Sequence, residues 1–305
     1  MSALCQLRSY DFSRVQCKIG VGDRPQCPIS DPLSCDIVNS SNRLMTAVSA
    51  PVHLLQFLSF TDFNNVEIEM TEPPAAMPHG PIEEIEDGVF WVQGSIQFAP
   101  LMRLTRNMVI VRSGEELTVV SSVRLSPDGE AELEKLGTVR HVVKLGYLHG
   151  IDDAYYLERF GATYWALPDG TRPQDPAPQR QLSADSLPIP DAEFFEFRDS
   201  KDKEGALLVR RAGGILVTCD AVQNWPDTKG CSPPARIASH LIGFRRRRAQ
   251  IGPPWLKKMT PEGGSLKADF ERLAKLDFAH LIGAHGGPLR DTAREDLQAT
   301  IEATF

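Results

Sequence analysis

From residue 80 onward, short apolar runs of strand length alternate with stretches of helical period, whereas residues 1–79 sustain neither period. The run 88–94 (GVFWVQG) stands between glycines and predicts a strand. Runs at 108–112 and 117–123 predict two more, joined by a turn at Ser113-Gly114. Ser126 followed by Pro127 marks a helix start, because serine caps free N–H groups and the first turn does not need proline's missing one. That helix runs to Gly137. A strand is expected at 139–145, a helix opening at Asp152 and stopped by Gly161, and a strand at 163–167. Six prolines make 168–192 a long loop. Residues 193–197 alternate as a strand, and 206–210 with 214–218 predict a hairpin. The segment 222–264 reads as an irregular insertion. A helix capped by Ser265 at 266–276, a strand at 279–282 and a helix at 291–305 complete the chain, Leu297, Ile301 and Phe305 sharing one face of the last.

This order predicts a mixed α/β fold whose sheets are covered by helices, and it fits two diverged halves. A domain over 80–305 is expected, preceded at 1–79 by a poorly patterned extension rich in Ser, Pro and Cys. Three readings of that extension stand side by side: a disordered segment, a small accessory element, or a start placed upstream of Met70 or Met77.

Charge and cysteine usage narrow the partners. The 33 Lys and Arg against 40 Asp and Glu give a net charge of −7, which argues against a general nucleic-acid or anionic-membrane binder. No run of ~20 apolar residues spans a bilayer, and the first residues lack a secretory pattern, so a cytoplasmic protein is expected. Cys5, Cys17, Cys27 and Cys35 match no C-x-x-C zinc pattern. The four-arginine run 245–248 reads as a solvated loop, with phosphate or nucleic-acid recognition as its functional alternative.

Three polar residues stand just past apolar strands: His149 after HVVKLGYL, Asp220 at the end of GILVTCD, and His285 after HLIGA. Ligands of open α/β sheets gather where strands end. Two imidazoles and a carboxylate suit zinc or iron and leave positions open for water. Asp152 and Asp153 begin a helix, where a carboxylate also meets free N–H groups.

From residue 82 to the C-terminus the chain resembles the metallo-β-lactamase-like hydrolase superfamily. IEEIEDGVFWVQG resembles its opening hairpin, and LTRNMVIVRSGEELTVVSS the next strands. VRHVVKLGYLHGIDDAYYLERFGATYWALPDG resembles the strand, metal-binding turn, helix and strand that follow; GILVTCDAV and HLIGAHGGPL resemble the strands ending in the metal-bridging aspartate and the last histidine. The resemblance implies a four-layer αβ/βα sandwich with its site at one edge of the sheets. It also implies His149, Asp220 and His285 as metal ligands, with a small-molecule substrate for an active form; charge and the lack of a spanning run, not the resemblance, argue against nucleic-acid and membrane partners. The sequence departs from the family's H-x-H-x-D-H turn: with His149 in the second position, Tyr147, Ile151 and Asp152 stand where His, Asp and His are usual. A shifted turn makes Asp152 or Asp153 the aspartate. Asp199 and Asp202 are the candidates for a later histidine's place, and Ser121-Ser122 occupy the place of another aspartate. The expectation is a reduced site: one zinc or iron ion, or none. An active form would hydrolyse an ester, amide, thioester or phosphoester, with Asp153, backed by Asp152, as extra ligand or general base. A binding or scaffold module with a lost metal site is the alternative.

Overall fold

A computed structural model describes residues 75–244 and 248–305. The expected extension lies outside the described residues except for 75–79, and so do arginines 245–247 of the run.

The chain order is β1 (Glu83–Glu86), β2 (Val89–Ala99), β3 (Met102–Ser113), β4 (Glu116–Val120), α1 (Pro127–Leu136), β5 (Thr138–Lys144), α2 (Asp153–Phe160), β6 (Thr163–Ala166), β7 (Arg180–Gln181) and β8 (Ala192–Glu196). There follow β9 (Gly205–Val209), β10 (Ile215–Val217), β11 (Val222–Gln223), α3 (Pro233–Leu241), β12 (Gln250–Ile251), α4 (Pro253–Met259), α5 (Lys267–Leu273), β13 (His280–Ile282) and α6 (Ala293–Thr304). The first seven strands form one sheet in sequential order, antiparallel from β1 to β4 and parallel from β4 to β7. A second sheet has the order β13-β10-β9-β8, with β13 and β10 parallel.

Strand alternation sorts the side chains into three cores. Val109 and Val111 of β3 meet Leu207, Val209, Ile215 and Val217 of the second sheet. Met108 and Ile110 point the other way, into a core with Leu133 of α1 and Tyr156 of α2. Ala206, Leu208 and Leu216 face outward from the second sheet onto Trp255, Met259, Phe270, Leu297 and Ile301 of α4, α5 and α6. The layers therefore run helix, sheet, sheet, helix, which is the four-layer αβ/βα sandwich that the resemblance implies.

Differences from the sequence reading have local causes. The strands expected at 88–94 and 108–112 extend into a long hairpin, β2 to β3, whose outer half carries too many polar residues to show as an apolar run. The segment 222–264 is ordered by α3 and α4, each beginning with a Pro-Pro pair; with nine and seven residues they are too short to establish a period. Helix α5 starts one residue later than expected, with Leu266 at its N-cap, while Ser265 Oγ still accepts from Lys267 N at 3.2 Å, as the expected cap does.

Arg211, in the turn after β9, joins the two sheets. It donates to both oxygens of Asp191, at 2.6 and 3.0 Å, and to the carbonyls of Asp87 and Arg112 at 3.1 and 2.9 Å. The hydrogen bond from Arg211 holds the Asp191 carboxyl below the usual carboxylate range. A depressed pKa contributes stability above the unfolded value of ~3.9, and that contribution is lost as pH falls through the folded pKa. Asp191→Asn is expected to cost about 1 kcal/mol or less at neutral pH, because the pair is partly exposed. The difference from the parent should vanish in acid, which urea denaturation of both proteins at neutral and acid pH checks.

Candidate metal centre

The parallel pairing of β10 with β13 sets Val217 opposite Ile282. Asp220 and His285 each lie three residues beyond that pair, so the register carries both to the same end of the second sheet. His149 comes from the turn after β5, in the first sheet. The three converge: His149 Nε2 lies 3.2 Å from Asp220 Oδ2 and His285 Nε2 lies 3.2 Å from Asp220 Oδ1. The two imidazole centroids are 5.2 Å apart. All three donor atoms fall within 4.8 Å of one another.

Residues distant in sequence hold these side chains in place. His285 Nδ1 is 2.7 Å from the carbonyl of Thr105. A carbonyl only accepts, so Nδ1 carries the hydrogen and Nε2 is directed at Asp220. Asp220 is oriented by Gln223, whose Nε2 donates to Oδ1 at 3.1 Å, and Gln223 in turn accepts from Trp225 Nε1 at 2.8 Å. The Trp225 ring lies parallel to His285, with planes 9° apart and centroids separated by 6.2 Å. Beyond His285, Gly286 has φ +78°, and a Cβ there would stand 1.9 Å from the carbonyl oxygen of Asn224. Glycine alone lets the turns after β10 and β13 come this close. Gln93 and Asn107 anchor the His285 turn to the first sheet, donating to the carbonyls of Gly286 and Gly283, both at 2.8 Å.

Burial and the neighbouring charges set the protonation of the cluster. Burial pushes the Asp220 carboxyl up, but His149 and His285 together outweigh it and hold the group well below the usual carboxylate range. Burial lowers the His149 imidazole. It also pulls on His285, but there the hydrogen bond and charge of Asp220 prevail and the pKa is raised.

The donor set fits a divalent ion. A neutral Nε2 facing a carboxylate oxygen places two lone pairs against each other unless a proton or a cation lies between them. Tetrahedral zinc with ligands ~2.1 Å away spaces its donor atoms ~3.4 Å apart; here each imidazole stands 3.2 Å from a different Asp220 oxygen, and one donor atom from each residue falls within 4.8 Å of the others, so an ion would draw the set slightly together. Two imidazoles and a carboxylate are a donor set that could hold one ion and leave a position for water or substrate.

Asp152 and Asp153 lie elsewhere. Asp152 is buried against Arg106 and accepts from the backbone N–H of Arg124 at 2.7 Å; it makes no side-chain cap for α2. Asp153, also buried, accepts from Ser122 Oγ and from Tyr164 OH at 2.7 Å. Burial pushes its carboxyl up, against the pull of Lys144. Lys144 has no exposed side-chain surface; it pairs with Asp175 at 3.0 Å and donates to the His149 carbonyl. Gly150 sits over this group with φ +104°, where a Cβ would meet Asp153 Oδ2 at 2.7 Å and Lys144 Nζ at 2.8 Å. Of the other positions considered, Asp202 pairs with Lys258 at 3.6 Å and Ile151 is exposed.

Sequence reasoning missed the supports. Thr105 acts through its backbone. Gln93 and Asn107 lie inside β2 and β3, and Lys144 is the last residue of β5. Glu204, buried, accepts from Ala221 N at 2.6 Å and Trp255 Nε1 at 2.7 Å, so it braces the residue after Asp220.

The layers and the strand-end site define a metallo-β-lactamase-like fold. Among solved structures, the chain is similar to the metallo-β-lactamase FIM-1 from Pseudomonas aeruginosa in its mono-zinc form, with a TM-score of 0.53 and 14% identity over 76% of this chain and 98% of that one. It is similar also to DIM-1 metallo-β-lactamase exposed to ceftazidime, with a TM-score of 0.52 and 12% identity over 76% and 100% of the two chains. A third likeness, to a metallo-β-lactamase from Hirschia baltica, has a TM-score of 0.50 and 14% identity over 73% and 97%. No family model and no curated protein matches the chain. At such identities the likeness speaks for the fold, and the chemistry is argued from the residues.

Proposed function

We propose that the chain is a mononuclear metal-dependent hydrolase of a small-molecule ester, amide, thioester or phosphoester. The observation that carries this reading is the convergence of His149, Asp220 and His285 from three strand ends, with donor atoms within 4.8 Å. These residues would hold one zinc or iron ion. A bound ion supplies Lewis acidity, polarising a carbonyl or phosphoryl oxygen and lowering the pKa of water. The chain's own residues do the rest. Asp220 supplies the charge that balances the cation. The Thr105 carbonyl keeps the Nδ1 hydrogen of His285 in place, so that Nε2 keeps its lone pair for the ion. Trp225 covers one side of His285. Asp152 and Asp153 serve in this reading to fix the turn that carries His149, not as acid or base.

The partly filled motif favours a second reading. Tyr147, Ile151 and Asp152 occupy places where the resemblance puts ligands, and Asp152 is committed to Arg106. A binding module on the same fold would keep the cluster without turnover. Among the described residues no helix is long and apolar enough to cross a membrane. The free thiols of Cys219 and Cys231 suit the cytoplasmic setting that goes with this proposal.

Hydrolysis of chromogenic acetate, thioester, phosphodiester and β-lactam substrates, with and without added zinc or iron, separates the readings. The hydrolase reading expects metal-dependent turnover of at least one substrate class, lost in His149→Ala. Metal-loaded protein inert toward all of them favours the binding module.

A further inference from the structure

Six large apolar side chains are exposed among the described residues, and four of them belong to one region: Leu101, Ile237, Leu241 and Ile242, exposed by 80, 64, 78 and 39%. Leu101 is the tip of the β2–β3 hairpin. Ile237 and Leu241 are one turn apart on α3, whose opposite face is buried through Ala235 and Ser239. Hairpin and helix are joined at Ser232, which accepts from Arg103 N at 3.1 Å and donates to the Leu101 carbonyl at 2.7 Å. Beneath them Met102, Leu104 and Phe244 pack on Trp225 and Ala235, so the two exposed elements share one support.

The same region is basic in a chain that is acidic overall. Between Thr228 and the end of α3 the chain holds Lys229 and Arg236 and no Asp or Glu, and the hairpin adds Arg103 two residues from its tip. Arg236 and His240 form the exposed stripe beside Ile237 and Leu241. Arg103 donates to the Gly230 carbonyl, next to Lys229, whose nearest acid is Asp227 at 3.5 Å. A cavity of about 60 Å³ opens beside the stripe, lined by Arg236, His240, Ser239, Thr228, Trp225 and Phe244.

We propose that the hairpin tip and α3 together dock onto the surface of an anionic lipid bilayer. Leu101, Ile237, Leu241 and Ile242 enter the interfacial region, and Arg103, Lys229 and Arg236 meet lipid phosphates. Aliphatic side chains flanked by cations are the pattern that binds such a surface, through burial of apolar area and attraction to anionic headgroups. A net charge of −7 pointed away from membranes, but it averages over the whole surface, and this face departs from the average. A second copy docked face to face would bring the cations Arg103, Lys229 and Arg236 against the same set on the copy, which like charge opposes. Nucleic acid would meet exposed aliphatic groups where single-strand binders present aromatic ones.

Flotation of the full chain with vesicles tests the proposal. Binding is expected to vesicles containing roughly one-third phosphatidylserine, to be at least about tenfold weaker on pure phosphatidylcholine, and to fall as salt screens the headgroups. The double variant Ile237→Ser with Leu241→Ser should bind at least about tenfold more weakly, with an unchanged melting temperature because both side chains are exposed. Absence of binding to the anionic vesicles at low salt overturns the proposal, and so does undiminished binding by the double variant. A wild-type dimer that the variant dissolves, or retention by duplex DNA without vesicle binding, would assign the face to those partners instead.

Discussion

Replacement of Lys144 by Met is expected to destabilise the metal-free protein by about 3–5 kcal/mol and to lower its melting temperature by about 6–20 °C. The lysine has no exposed side-chain surface and pairs with Asp175, itself 3% exposed and also held by Arg172 at 2.7 Å. Asp153, fully buried, lies on its other side, and Gly150 closes over both. Burial pushes the Lys144 ammonium down, while the charges of Asp153 and Asp175 favour it. Removing the cation leaves two enclosed carboxylates balanced by Arg172 alone, which is why breaking a buried pair from one side is so destabilising. The same ammonium donates to the carbonyl of His149, so the loss should reach this proposed metal ligand as well as the fold. Denaturant unfolding in chelator measures the first effect and metal titration of the folded fraction the second. A loss under about 1 kcal/mol would mean that the network is hydrated and weak, as exposed pairs are.

Substitution of His285 by Ala is expected to weaken metal binding by more than about a hundredfold, beyond the 10–100-fold that removal of an outer-shell partner causes. It takes away one of the three proposed ligands and the group that the Thr105 carbonyl and Trp225 position. The fold should survive, because the imidazole stands at the sheet edge with its side chain 15% exposed, outside the three large cores. Retained metal-dependent activity in this variant would remove His285 from the site. Loss of folding without metal would make it a structural histidine.

The three residues that cluster, His149, Asp220 and His285, were legible in the sequence because each follows an apolar strand, and strand ends are where α/β sheets place their polar residues. The supports were not legible, for physical reasons that differ from residue to residue. Lys144 ends the apolar strand HVVK, and its partners Asp175 and Asp153 become visible only when β5 and the loop after β6 are side by side. Asn107 and Gln93 interrupt strand alternation, where a polar residue reads as solvent-facing until the His285 turn is seen against it. Thr105 contributes a carbonyl, which no side-chain pattern records. Asp152 and Asp153 sit at a helix start, and their sequence supports a cap and a ligand equally; burial against Arg106, Ser122 and Tyr164 separates them from the cluster. Helices α3 and α4 escaped notice because nine and seven residues present too few turns for a period.

Metal content of the untagged chain, measured by mass spectrometry after dialysis against zinc or iron, tests the central claim most directly. The account predicts about one ion per chain, in line with the three convergent donors. Protein that stays folded yet takes up neither metal would contradict it, and would leave the cluster of His149, Asp220 and His285 as a proton-bridged brace between the two sheets.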